Sequence, residues 1–143
     1  MIARASRLLR EAGAFGIIRL GVALLVGVYL IGIYFSNGVD KFDPSGFWAE
    51  PFRRWGYPVW LRLLVGVLES AGSAMLVIPW LATWGGLATA VAMAGALYTR
   101  LPSGYWTDVA WITLWLALSL WIAWEWREWR WPQREVAGDT ART

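Results

Sequence analysis

The stretch from Ser70 to Thr99 contains no charged side chain, and this run most constrains how the chain can fold. As a single helix it would be about 45 Å long, at ~1.5 Å per residue, which exceeds a bilayer core of about 30 Å. The run must therefore fold back on itself. Pro79 and the Gly85-Gly86 pair interrupt the helical pattern, so we expect a tight turn there between two helices.

Two more apolar segments, one on each side of this run, are long enough to be membrane spans. With 58% hydrophobic residues, 16% charged residues and 13 tryptophans, the composition is that of an integral membrane protein. The pattern predicts an all-α fold, an integral membrane four-helix antiparallel bundle. Its spans are expected at residues 13–36, 57–81, 84–100 and 106–126.

The two ends of the chain are rich in arginine, which bears on its orientation. Because cytoplasmic segments carry an excess of Lys and Arg, we expect a multi-pass protein of the cell inner (plasma) membrane with both termini in the cytoplasm. The transmembrane domain is expected to cover residues 1–131. A polar, disordered cytoplasmic tail is expected at residues 132–143.

The segment 37–58 combines charged residues, Gly and Pro with several aromatic residues. Such a mixture favours an interfacial loop between the first two helices, capping the end of the bundle away from the cytoplasm. We expect Phe47, Trp48 and Phe52 to be buried against helices or headgroups. The carboxylates of this loop do not have the spacing of a calcium loop, so we expect no metal site.

The sequence has no cysteine and no histidine. This excludes thiol–disulfide exchange, thiolate metal sites, iron–sulfur ligation and His-ligated haem. We therefore expect no catalytic residue and no intrinsic cofactor, with a quinone or a bound lipid as the candidate ligand. The net charge of +3, concentrated at the termini, does not favour nucleic acid as a partner.

Glu69 lies inside the second predicted span, where a charge costs at least about 2.5 kcal/mol unless it has a partner or water. Helical spacing puts a polar stripe on its face of the helix. The stripe contains Arg62, Gly66, Glu69, Ser73 and Trp80. We predict that Glu69 is paired inside the bundle and that Arg19 of the first helix is a better partner than Arg62. Such a pair would either fix the helix register or belong to a ligand site.

Several short motifs occur in the order found in the DoxX-like family. They are Arg19, the set Gly38, Lys41 and Phe42, WGYPVW at 55–60, VGVLESAG at 65–72 and AMAGALYTR at 92–100. Over residues 17–101 the chain resembles this family of four-helix membrane proteins, with Arg100 standing where members often have a histidine. The resemblance implies a small membrane subunit associated with quinone-linked oxidoreductases, including thiosulfate:quinone oxidoreductase. It also implies recurrent polar sites at Arg19, Lys41 and Glu69.

Three functions follow from these observations. The favoured one is a non-catalytic subunit of a larger membrane complex, linked to redox or electron transfer and contacting other subunits and lipid or quinone. The alternative is a quinone or lipid-like ligand site in the bundle, and the third is a small-solute transporter, for which four helices leave little room. The candidate site residues are Arg19, Lys41, Arg62, Glu69, Tyr98 and Arg100, with Tyr29 and Tyr34 as further pocket-lining aromatics.

Overall fold

The computed structural model describes residues 2–127, and side-chain environments from residue 17 onward. This part of the chain is all-helical and contains no strand, as the sequence predicts. Its α-helices are α1 (Ile2–Asp40), α2 (Ala49–Arg54), α3 (Val59–Met75), α4 (Ala82–Arg100) and α5 (Trp106–Glu125). One 3₁₀ turn, Leu101–Ser103, joins α4 to α5. The predicted tail at 132–143 lies outside the described residues.

The second predicted span, 57–81, is too long. Helix α3 ends at Met75, and the next residues form tight turns in which the amide of Leu76 bonds to Ser73 and that of Ile78 to Met75. Pro79 explains this end, because it has no amide proton and disfavours helical geometry in the residue before it. Trp80 therefore does not belong to the polar face of α3.

The third and fourth spans match their helices within two residues. Helix α4 begins at Ala82, two residues before the predicted start, and α5 differs from the span 106–126 by one residue. Helix α1 contains the whole of the predicted span 13–36 but extends beyond it at both ends. The turn expected at Gly85-Gly86 is wrong, because both glycines lie inside α4, where they pack closely on neighbouring helices.

The long helices contact one another in a closed order: α1 packs on α3, α3 on α4, α4 on α5, and α5 on α1. Glycines allow the closest approaches. A methyl group added to Gly38 would lie 2.6 Å from the amide nitrogen of Ser70, and one added to Gly66 would lie 2.9 Å from the carbonyl oxygen of Gly38. Helices α1 and α3 therefore touch backbone to backbone where Glu69 is located.

Two helical segments, Ile17–Asp40 and Trp106–Glu125, are long and apolar enough to cross a membrane. Only 22% and 17% of their apolar windows are buried, whereas the core helix of a soluble protein would be mostly buried. Their exposed faces carry apolar side chains such as Leu25 and Val28 in α1 and Leu114 in α5. These faces are suited to lipid contact.

Candidate functional site

A buried ion pair joins the end of α1 to the middle of α3. The Nζ atom of Lys41 lies 2.5 Å from Oε2 of Glu69, and the two residues are only 3% and 4% exposed. Glu69 is therefore paired inside the protein, as predicted. Close contact between α1 and α3 at Gly38 positions the pair, because Lys41 follows Gly38 by less than one helical turn.

The ammonium group of Lys41 has two further partners. Its Nζ donates to the carbonyl oxygen of Asn37 at 3.2 Å and lies 4.3 Å from the centre of the Trp48 ring. Trp48 is in turn fixed by its indole N–H, which donates to Oδ1 of Asn37, and by its amide, which donates to Asp40. A carboxylate, a carbonyl oxygen and an aromatic face thus surround the buried ammonium group of Lys41 and compensate its removal from solvent.

The predicted pairing of Glu69 with Arg19 is wrong. Nε of Arg19 instead lies 2.6 Å from Oε1 of Glu125 in α5, and the Arg19 side chain is half exposed. Helix α1 meets Glu69 at Gly38, and the 19 residues between Arg19 and Gly38 correspond to about 28 Å of helix. Arg19 therefore lies at the opposite end of the helices from the buried pair.

A cavity of about 560 Å³ opens beside the Lys41–Glu69 pair, and we call it the main cavity. Its volume is in the range of small-molecule sites. Residues of α1, α2, α3, α4 and α5 line it, and most of them are apolar. The lining includes Ile33, Leu68, Ala92, Met93, Ala96 and Ile112. A mostly apolar space thus has the buried Lys41–Glu69 pair in its wall.

Trp115 lines the main cavity, but its one polar side-chain atom is enclosed by protein. Its indole Nε1 is buried and has no hydrogen-bond acceptor among the described residues. The hydroxyl of Tyr34 is 3.0 Å from the hydroxyl of Ser119 and donates to the carbonyl oxygen of Trp115. A buried N–H without an acceptor is costly, so this wall of the cavity carries a local loss of stability.

Arg100 lies at the end of α4, where α5 begins. Its Nη1 is 3.5 Å from Oδ2 of Asp108, and its guanidinium group lies 5.2 Å from the centre of the Trp55 ring. At the same end of the molecule, the hydroxyl groups of Tyr57 and Thr99 form a hydrogen bond of 3.0 Å. These five residues all line the main cavity, and their contacts connect the segment before α3 with α4 and α5.

The predicted aromatic lining is partly correct. Tyr34 and Tyr98 line the main cavity, with Tyr34 fully buried and Tyr98 exposed. Tyr29 is not part of the lining and is half exposed. In the loop, Phe52 is buried, whereas Phe47 is 74% exposed and therefore not buried against helices; its burial against headgroups stays a prediction.

Arg62 does not line the main cavity. It is 6% exposed, and its Nη1 donates to the carbonyl oxygen of Asp43 at 2.5 Å. The carboxylate of Asp43 instead accepts hydrogen bonds from the hydroxyl and amide of Ser45, which hold the pKa of Asp43 below its usual range. The stripe predicted on α3 thus divides between two sites, with Glu69 in one and Arg62 in the other.

The part of the chain that the structure describes contains no cluster of three or more Asp and Glu side chains able to hold a metal ion. The loop carboxylates have other roles. Asp40 accepts from the amide of Trp48, Asp43 from Ser45, and Glu50 from Arg53. Each therefore helps to fix the loop conformation.

The model of the DoxX-like family matches residues 25–122, which is more than half of the chain. The chain belongs to the DoxX-like family. The matched region includes Lys41, Glu69 and Trp115 but not Arg19, in keeping with the separation of Arg19 from the main cavity. Neither the curated proteins nor the solved structures gave a match to this chain. Membership of the DoxX-like family and the two exposed apolar helices together indicate a membrane protein.

Sequence reasoning did not assign Asn37, Trp48 or Trp115 to the site of this DoxX-like protein. Asn37 precedes the predicted site residue Lys41 by four positions, about one helical turn, and this spacing could have suggested a shared site. Trp48 was expected to be buried but not to contact Lys41, and Trp115 does not stand out in a chain that contains 13 tryptophans.

Proposed function

We propose that this DoxX-like protein binds a hydrophobic molecule with a polar head, a quinone or a lipid-like compound, in the main cavity. The observation that carries the proposal is the composition of the cavity wall. A largely apolar space of about 560 Å³ has the buried Lys41–Glu69 pair and the Arg100–Asp108 pair in its wall. Ligand sites typically combine apolar walls with a few convergent polar groups.

The polar groups favour a head that carries both a hydrogen-bond acceptor and a donor. The guanidinium group of Arg100, which lines the main cavity, can donate to a ligand oxygen. Within the described residues, the Glu69 carboxylate accepts a hydrogen bond only from Lys41, at Oε2, so Oε1 can accept from a ligand hydroxyl. Lys41 already has three partners and serves to hold Glu69 in place.

The apolar flank between α3 and α4 supplies a route of entry. Leu64 and Val91 line the main cavity and are 46% and 62% exposed, which supports an opening at the apolar outer surface between these helices. A hydrophobic molecule dissolved in the bilayer would reach the cavity there without crossing water.

The proposal includes a membrane arrangement. The four long helices form an antiparallel bundle, both termini are cytoplasmic, and residues 41–58 lie at the opposite interface. The closed ring of contacts among α1, α3, α4 and α5 and the aromatic content of the loop support this arrangement. The subunit role, the redox link and small-solute transport stay predictions.

Quenching of intrinsic tryptophan fluorescence by decylubiquinone tests the ligand site, since Trp48, Trp111 and Trp115 line the main cavity. In detergent micelles we expect saturable quenching for the wild type and an affinity at least tenfold weaker for Ala96→Phe, which fills the cavity. Ala94→Phe is the matched control, because Ala94 is exposed on the same helix and is not part of the lining. Equal quenching of all three proteins would refute quinone binding at this site.

A further inference from the structure

Arg62 is a buried charge whose nearby carboxylate, that of Asp43, is exposed and makes no close ion pair with it, although the guanidinium helps to lower the pKa of Asp43. Its side chain extends from the first turns of α3, and the residue is 6% exposed. Its one hydrogen bond within the described part of the chain is to the carbonyl oxygen of Asp43, and no described carboxylate lies within 4 Å of it. A guanidinium group removed from water is strongly destabilising unless an anion or several acceptors compensate it.

Arg62 lines a second cavity of about 160 Å³, which shares Phe52 and Tyr57 with the main cavity but has different charged residues. Arg53 lines it too, and so does Val59, the first residue of α3. Pro58, the N-cap residue of α3, gives no side-chain hydrogen bond to the first amides of the helix. Two arginine side chains and the first residue of α3 therefore line one small space, and Glu50, the ion-pair partner of Arg53, leaves Arg62 as the main unpaired positive charge of this space.

We infer that this second cavity binds a phosphate-type anion. The chemistry required is a compact, negatively charged group with several oxygen acceptors, which can bond to the remaining N–H groups of Arg62. Either the phosphodiester of a lipid headgroup or free inorganic phosphate has this chemistry. The site is independent of the hydrophobic ligand proposed for the main cavity, because the two sites have different charged residues.

Inorganic phosphate is the first probe. The full chain in a neutral detergent is heated while phosphate replaces chloride at constant ionic strength. Since a ligand that binds the folded state stabilises it, we expect a saturable rise in the Tm of the wild type. The rise should disappear in Arg62→Gln and shrink in Arg53→Gln. It should persist in Arg54→Gln, because Arg54 is exposed and does not line the cavity.

Anionic lipid is the second probe. The same proteins are reconstituted in nanodiscs of equal parts phosphatidylglycerol and phosphatidylcholine and then released for native mass spectrometry. Preferential retention of one phosphatidylglycerol by the wild type and by Arg54→Gln, but not by Arg62→Gln, identifies a headgroup site. A response to phosphate without lipid retention identifies a free-anion site.

The inference is overturned if neither probe gives a response, or if the responses of the wild type, Arg53→Gln and Arg54→Gln are equal. Arg53→Gln decides the outcome if Arg62→Gln does not fold, because Arg53 is exposed and its substitution leaves α3 intact. Decylubiquinone quenching in the same variants separates this site from the main cavity, and we expect it to be unchanged.

Discussion

At the scale of single residues, the Lys41–Glu69 pair explains how a carboxylate can lie in an apolar helix. The sequence alone indicated that Glu69 is paired, because an isolated charge there is too costly. It could not identify the partner, since this depends on which turn of α1 meets α3. The turn of α1 that meets α3 is set by the contact between Gly38 and Gly66, because two residues without side chains let the backbones approach closely.

Breaking the pair should be more harmful than removing it. Lys41→Met or Glu69→Leu alone leaves an uncompensated buried charge and should lower the free energy of unfolding by about 3–5 kcal/mol. The double variant should be close to the wild type in stability, because no buried charge is left. Titration of the purified protein with sodium dodecyl sulfate in mixed micelles measures these differences.

A second cycle, with Arg19→Leu in place of Lys41→Met, is the control. Arg19 is half exposed and pairs with Glu125, so its loss should cost no more than about 1 kcal/mol and should add to the effect of Glu69→Leu. Strong coupling between Arg19 and Glu69, or additive effects of Lys41 and Glu69, would contradict the assigned pairs.

At the scale of elements, the contact between α1 and α3 is the one that positions the site. The approximate positions of the long helices could be read from the sequence, and α4 and α5 were located within two residues, but the break expected at Gly85-Gly86 lies inside α4. The early end of α3 could not be predicted, because it depends on the local turn at 76–81. The position of Lys41 beside Glu69 could not be predicted either, because it depends on how α1 docks on α3.

Gly38→Ala should disrupt this contact. The new methyl group would lie 2.6 Å from the amide nitrogen of Ser70, a backbone atom that can move only if α1 and α3 separate. We expect a loss of about 1–3 kcal/mol in the free energy of unfolding. Gly32→Ala is the matched control on the same helix, because its methyl group meets nothing within 4 Å and should be neutral or stabilising. Similar stability of the two variants would show that the helices are not in close contact.

At the scale of the whole molecule, the fold class and the membrane character followed from the sequence, whereas the main cavity did not. A cavity depends on where helices diverge, and residues such as Ala96 and Trp115 give no local sign that they line one. The sequence could not show, for the same reason, that Arg62 and Glu69 line different cavities. Both residues lie on one face of α3, and only helix packing separates their surroundings.

The proposed topology predicts that the loop and the C-terminus lie on opposite sides of the membrane. Reporters inserted near Ser45 and fused after Thr143 should give opposite responses, with the C-terminal reporter in the cytoplasm, because basic residues flank the first and last helices. A cytoplasmic response from both positions would exclude the antiparallel four-span arrangement.

The central claim is that the main cavity holds a hydrophobic ligand, and the most direct measurement is the amount of ligand that the protein retains. The wild type, Ala96→Phe and Ala94→Phe are purified in mild detergent, extracted with organic solvent and analysed by quantitative mass spectrometry. We predict about one quinone or lipid-like molecule per chain for the wild type and Ala94→Phe, and its loss from Ala96→Phe, because a tightly bound ligand occupies the site that the phenylalanine fills. No retained molecule in any of the three, or equal retention by Ala96→Phe and Ala94→Phe, would contradict the claim.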